Sequence, residues 1–455
     1  MPAHALHARV NARTNAPIAP PRRLTLLGVV ALAVGNMLGT SIWTLPASLA
    51  EVAGPLALVA WGVTAAGYWF VARSYARLGA RWPVTGGPYV FARAAFGDGA
   101  AFVVTWSYWL SATLGNAAIV TGVVGYAAGF DAALAASPLM QYVLAQALLW
   151  GLCALNVAGV QHSARLAIVL MFTTVVTLAA SSLAALPAVA AHNFVPFAPA
   201  GWSALAPACA LIVWAYSGVE SATVPADEVR GGGDVIARGT MLGFWVATAT
   251  YLVAAFAVAG TVSSAELATS ARPIALVAER SVGAWAGIVV GLAALGSNVA
   301  TLNGWILMAG RIPVTAATDG LFPAPLARLH ARTGTPWIAL VVGTCIPASL
   351  LGLYFTRSLL GVFRFFVLLA ILTTLVPHLA TVAAEWRLAR RGDARYDARA
   401  ARRVAWEAPV AMVFVVWTMI GAGAEAALWG SVAIVAGVPM YVVMRAGRRR
   451  VRVGS

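Results

Sequence analysis

Lysine is absent from this chain: all 30 basic residues are arginine. That excludes Schiff-base chemistry and a phosphate-binding loop, both of which need a lysine amine. Charge of either sign is scarce, at 10% of the 455 residues, against roughly 25% in an ordinary soluble domain. With 61% hydrophobic residues and a mean hydropathy of +0.83, the chain has too few charges to clothe a water-facing surface. Cysteine is also sparse. Cys153, Cys209 and Cys345 stand far apart in apolar runs, which excludes a disulfide framework or a zinc cluster and makes each a small buried hydrophobe. A net charge of +15 could suit nucleic acid, but the arginines punctuate apolar segments instead of striping a polar fold. The composition is that of an integral membrane protein.

A bilayer core of about 30 Å needs about 20 mostly apolar helical residues. That window predicts twelve spans, near 24–47, 53–73, 100–128, 138–158, 165–187, 204–225, 239–262, 283–311, 336–355, 364–385, 407–424 and 428–445. Segments 1–23 and 447–455 are expected as cytoplasmic tails, and 386–406 as a cytoplasmic loop. With the N-terminus inside, only Arg272, Arg280, Arg357 and Arg364 fall on the outer side, and the other 26 of the 30 arginines lie in tails and inner loops. This positive-inside bias places both termini in the cytoplasm, and an odd number of spans would violate it.

Two spans are interrupted at mid-membrane depth. The first reads Gly35-Asn36-Met37-Leu38-Gly39-Thr40-Ser41, and the sixth reads Trp214-Ala215-Tyr216-Ser217-Gly218-Val219-Glu220-Ser221. Small residues also serve close helix packing. Two interrupted helices at matching positions of two five-span halves point instead to a transporter site between inverted repeats. A half-helix starting at Thr40-Ser41 offers free N–H groups and a positive dipole end to a carboxylate. Unwound carbonyls near Met37, Trp214 and Ser217 can accept from an ammonium group. Such a pair suits an α-amino acid.

At these residues the chain resembles the amino-acid/polyamine/organocation superfamily, and within it the basic amino-acid/polyamine antiporters typified by the arginine/agmatine exchanger. The resemblance spans essentially the whole chain. Beyond the two interruptions it is carried by Tyr108-Trp109-Leu110, Gly115-Asn116, Leu295-Gly296-Ser297, Gly304-Trp305 and Asp319-Gly320-Leu321-Phe322-Pro323. It implies an all-α membrane fold of twelve helices with a five-plus-five inverted repeat (24–187 and 204–385), helices one and six broken, and often a homodimer through the last two spans at 407–446. Matched residue by residue, it implies that Met37, Thr40 and Ser41 take the substrate's α-amino and α-carboxylate groups, with Ser217 and Gly218 in the facing break. Asn116, with Ser111 nearby, would meet the distal end of the substrate. Trp214 resembles the aromatic that closes over substrate on the outer side, and Trp305 the tryptophan that blocks the route inward. Tyr108 and Glu220 match two members of an inner gate.

The departures are specific. The usual Gly-Ser-Gly of the first span is Gly39-Thr40-Ser41, and the third gate residue, usually tyrosine after a proline, is His378 after Pro377. A small polar residue in span ten is Ala370, and a cysteine in span three is Ala112. Glu220 is the one acid placed inside a span away from its ends, where a charge costs a few kcal/mol and so calls for a functional use. An isolated histidine in such a run is ordinarily a core residue, but its gate position makes a Glu220–His378 pair a candidate proton-sensitive latch. Most of the 17 tryptophans belong to the interfacial belts. Trp214 and Trp305 escape that reading through their neighbours, and tryptophan faces attract guanidinium and ammonium groups.

A secondary transporter is therefore expected, without covalent chemistry, cofactor or metal, in a bacterial inner membrane. It would be an antiporter exchanging a cationic amino acid for its amine or another amino acid, with ion-coupled symport or uniport of neutral amino acids as the alternative. Proton-coupled relatives are thought to use a lysine in span five, and this chain has none. A membrane enzyme would need a dense His/Asp/Glu constellation, and a transporter-like sensor would carry an added signalling domain. The sequence displays neither.

Overall fold

The computed structural model describes residues 24–159 and 164–453; the expected tail 1–23 lies outside them. The first span is two half-helices, α1 (Leu26–Met37) and α2 (Thr40–Ala53). There follow α3 (Ala57–Arg81), a short α4 (Pro88–Phe96), α5 (Asp98–Ala128), α6 (Pro138–Val157) and α7 (Ala164–Ala185). The sixth span is α8 (Leu205–Tyr216) and a tight turn at Val219–Thr223. The rest comprises α9 (Gly232–Thr261), α10 (Pro273–Val282), α11 (Ala284–Thr318), α12 (Trp337–Leu350), α13 (Leu359–Arg390), α14 (Ala398–Gly421), α15 (Ala424–Val435) and α16 (Val438–Val453).

Eleven segments among the described residues are long and apolar enough to cross a membrane. The first, Leu26–Arg81, has 56 residues and turns back at Gly54, so it holds two crossings and the total is twelve. Within the best apolar window of α5, 94% of the residues are buried, against 11% in Ala424–Ala446. α5 is thus the centre of the bundle, packed along α11 and α13, and the last pair of helices is its rim. Helix starts at the bundle's ends are capped by side chains. Thr25 accepts from the Gly28 N–H, Ser137 from Met140, Ser358 from Gly361 and Asp397 from Ala400.

Ion pairs sort by end. Arg364–Glu51 (2.5 Å), Arg280–Glu266 (2.5 Å) and Arg357–Glu425 (3.2 Å) lie at one end. At the other, arginine-rich end, Arg93 and Tyr89 of α4 both donate to the Asp319 carboxylate, and Arg93 also reaches Asp98 at 2.9 Å. Burial, then the Asp319 charge, pushes the Tyr89 phenol well above its ordinary range, which keeps its proton available for that bond.

Several boundaries differ from the sequence reading. The expected loop 386–406 shrinks to 391–397, because α13 runs on to Arg390 and α14 begins at Ala398. The segment 447–453, expected as tail, continues α16. Glu385 and Glu407 thereby come to lie inside helices, 0% and 2% exposed, so Glu220 is not the one buried helical acid. Arg77 holds both: its Nε and Nη2 donate to Glu385 (2.5 and 2.8 Å) and its Nη1 to Glu407 (2.5 Å). Arg73 adds a contact to Glu407 at 3.2 Å. Cys153 and Cys209 are buried as expected, but Cys345 is exposed on the outer face of α12.

Candidate functional site

The two interruptions meet in the middle of the bundle. α1 stops at Met37 and α2 starts at Thr40, with Gly39 as an N-cap that supplies no side-chain acceptor. Gly39 is glycine because a Cβ there would stand 2.3 Å from the Thr301 side chain of α11. The first N–H groups of α2 are therefore orphan donors at a positive dipole end. The Thr40 side chain lies outside the described residues, and its backbone opens this turn.

In the facing break α8 stops at Tyr216, and Gly218 takes φ +116°, a left-handed conformation that disfavours any side chain. A Cβ on Gly218 would lie 2.8 Å from the Asn36 Cβ and 3.1 Å from the Met37 nitrogen. The breaks are also joined by the Asn36 amide, which donates to Ser221 Oγ at 2.7 Å. Below them, Leu24 exchanges backbone bonds with Glu228 (3.0 Å) and Arg230 (2.9 Å).

Tyr251 of α9 is the residue that sequence reasoning missed. Its hydroxyl stands within hydrogen-bond reach of the Met37 carbonyl (2.5 Å) and the Ala215 carbonyl (2.7 Å), one acceptor from each broken helix, which share its single proton. Ser41 Oγ donates to the same Met37 carbonyl at 2.8 Å. The Trp214 carbonyl accepts the Ser217 N–H at 3.2 Å. Two of the carbonyls expected to face an ammonium group are thus already engaged from within the protein. No motif marks Tyr251, which lies outside both interruptions in an ordinary apolar helix.

The remaining expected residues gather on three helices around the breaks. Tyr108 of α5 donates to Glu220 Oε1 at 3.1 Å, and Glu220 Oε2 accepts the Gly218 N–H at 3.0 Å. Glu220 thus fastens α5 to the backbone of the break. Gly115 lets the Trp214 indole approach α5, since a Cβ there would sit 2.8 Å from the ring. The neighbouring Asn116 is 1% exposed and its Oδ1 has no hydrogen-bond partner, a costly state for a buried amide unless a ligand completes it. Ser111 is bonded to Thr374 of α13. Trp305 is buried on α11 one residue beyond Gly304, where a Cβ would lie 3.8 Å from Asn36 Oδ1.

His378 is not joined to Glu220, contrary to the expected latch. Its Nδ1 instead shares a 2.8 Å hydrogen bond with the Tyr75 hydroxyl of α3, and the Tyr68 ring stands edge-on at 5.6 Å. The reason is packing: α3 lies against α13 and puts two tyrosines around the imidazole.

Each expected site residue whose side chain is described is buried, from His378 at 0% to Trp214 at 8%, so the arrangement is closed to both ends. An apolar crevice of about 30 Å3 between α2, α3 and α9 includes none of these residues. Among the described residues no group of three or more His, Cys, Asp or Glu side chains gathers as metal ligands. Chemically the site offers orphan backbone donors, a buried amide oxygen and two indoles.

Comparison with known proteins places these features in a family. The chain is 28% identical over 423 residues to an arginine/ornithine antiporter of Pseudomonas aeruginosa, covering 88% of this chain and 86% of that protein. It is 25% identical over 423 residues to the putrescine transporter PotE of Haemophilus influenzae, covering 91% and 96%. A branched-chain amino acid permease of Bacillus subtilis, BcaP, is 27% identical over 340 residues, covering 70% and 72%. The profile of the amino acid permease family matches residues 24–445, and the chain belongs to that family.

Proposed function

We propose that this protein is a secondary active transporter that exchanges a cationic amino acid for its amine or for another amino acid by alternating access. The observation that carries the reading is the buried meeting of two broken helices, where the end of α1 abuts the Gly218 break just before the uncapped start of α2. The α2 N–H groups at Thr40 and Ser41 take the substrate carboxylate, and the unwound backbone at Ser217 and Gly218 takes the ammonium, beside the Met37 carbonyl that Tyr251 and Ser41 hold in place. Asn116, with Ser111, meets the far end of the substrate. Trp214 covers it from the outer side and Trp305 blocks it from the inner side. Tyr108, Glu220 and His378 form the inner gate, with Glu220 held by Tyr108 and His378 held by Tyr75. The names of two relatives, an arginine/ornithine antiporter and a putrescine transporter, support a cationic cargo.

The arginine bias assigns both termini to the cytoplasm of a bacterial inner membrane. The homodimer would bury the apolar faces of α14 to α16, where Leu428, Val435 and Val443 are exposed. The mechanism uses hydrogen bonds, indole faces and helix motion, with no bond made or broken in the substrate.

The test is labelled arginine uptake into proteoliposomes preloaded with arginine, putrescine, leucine or nothing. Uptake driven only by cationic preloads is expected. Equal uptake into empty vesicles would replace exchange by ion-coupled symport or uniport. Arginine inert in every preload would favour a second reading, a neutral amino-acid carrier. That reading draws on Ala370 and the uncharged Ser111–Thr374 pair, and on the branched-chain relative. In the same assay Tyr251→Phe should cut exchange about tenfold, since one lost hydrogen bond of about 1 to 1.5 kcal/mol unties Met37 from Ala215. Unchanged exchange would show that the tether has no part in transport.

A further inference from the structure

Away from the substrate site, the arginine-rich end of the bundle holds a basic cavity. Arg73, Arg77 and Arg81 recur every four residues on α3, and Arg399 and Arg403 do so on α14, so each set shares one helix face. Together with Asp397 they line a cavity of about 240 Å3 between the two helices. The charges can be counted around it. Glu385 and Glu407 beneath the cavity hold Arg77 and Arg73, and Asp397 spends one oxygen on the Ala400 N–H at 2.6 Å. Arg81 is fixed by donating to the Arg395 and Arg77 carbonyls and lies over the Tyr396 ring at 4.4 Å. Five cations thus face three carboxylates; Asp397 lends its charge to both Arg81 and Arg399, and among the described residues neither the Arg399 nor the Arg403 guanidinium has a hydrogen-bonded or ion-paired acceptor, so the surplus rests there.

The depth of the cavity follows from its aromatic neighbours. Trp406, three residues beyond Arg403 on α14, is 54% exposed and packs edge-on against Phe70 at 5.7 Å. Arg73 lies over Trp69 at 4.5 Å. Outward-facing tryptophans mark the headgroup level of a bilayer, so the cavity opens where lipid phosphates are.

We propose that this cavity binds the phosphate of an anionic phospholipid of the phosphatidylglycerol or cardiolipin class, with Arg399 and Arg403 as its principal donors. Basic pockets between membrane helices suit such headgroups, and guanidinium forks match phosphate oxygens. The site is independent of what the transporter carries.

The experiment is native mass spectrometry of the purified full-length protein in detergent, titrated with phosphatidylglycerol or with phosphatidylcholine of the same acyl chains. The wild type should prefer phosphatidylglycerol, and R399Q/R403Q should lower its occupancy about tenfold or more without changing phosphatidylcholine, since each arginine adds its own attraction to an anionic headgroup. The control R391Q, an exposed arginine of the same end outside the cavity, should bind as wild type. Equal phosphatidylglycerol binding by the double variant and wild type would overturn the proposal. So would displacement of the lipid by inorganic phosphate at equal concentration, which would make the cavity a soluble-anion site. Wild-type preference should also fall as NaCl is raised; a preference insensitive to salt would overturn the proposal without recourse to any variant.

Discussion

Replacing Gly218 with alanine should lower exchange in proteoliposomes on the order of a hundredfold while the protein still inserts and elutes as a single species. Two costs combine. A side chain at φ +116° meets the steric penalty of the left-handed region, about 1–2 kcal/mol. The added methyl would also lie 2.8 Å from the Asn36 Cβ and 3.0 Å from its carbonyl carbon. Overpacking of that kind costs about 1–3 kcal/mol. Because the obstacle includes backbone of α1, relief requires the two broken helices to separate, and that displaces the Gly218 N–H from Glu220. The sum converts to roughly two decades in rate at about 1.4 kcal/mol for each. Gly62→Ala on α3 is the control, since nothing lies within 4 Å of its Cβ position. Near-wild-type exchange by Gly218→Ala would mean that transport does not depend on the breaks meeting as they do.

Most of the architecture was legible because a membrane span is written in consecutive residues. Apolar runs broken by arginine and glycine gave twelve crossings, and Gly39 and Gly218 gave both interruptions to within a residue or two. The arginine-rich ends of the helices were less legible for a physical reason. Near the interface a helix can carry charges that find partners, so α13 and α14 extend through Glu385, Arg390 and Glu407 although their hydropathy falls there. Read as span ends and loop, those residues concealed the Arg77 cluster. Cys345 illustrates the same limit differently, since an apolar run does not say which of its faces is turned inward.

Pairings between distant helices were the least legible. Tyr108 and Glu220 could be paired through the family resemblance, and they do meet at 3.1 Å. The resemblance also set His378 beside them, but the imidazole's partner is decided by what α3 presents to α13, and α3 presents Tyr75 and Tyr68. Tyr251 escaped notice because it carries no charge and stands in no interrupted run. Its hydroxyl becomes significant only once Met37 and Ala215 are brought together by the fold.

The largest effect on stability should come from Arg77→Met. Arg77 is 16% exposed, and among the described residues its guanidinium is the one ion-pair partner of Glu385, held at 2.5 and 2.8 Å on two oxygens. Removing it strands a carboxylate that is 0% exposed, whereas Glu407 keeps Arg73 at 3.2 Å. Breaking a buried pair from one side costs about 3–5 kcal/mol, because the remaining charge has lost its compensation. Arg77→Met should therefore melt well below wild type in lipid-free detergent, followed by the fluorescence of the 17 tryptophans. The double variant Arg77→Met/Glu385→Met should regain most of the loss, since replacing both partners by apolar groups is often neutral or stabilising. A single variant that melts with wild type would show that water or rearrangement relieves Glu385. A double variant no better than the single would show that α3, α13 and α14 rely on the shape of the ion pair and not on its charge balance.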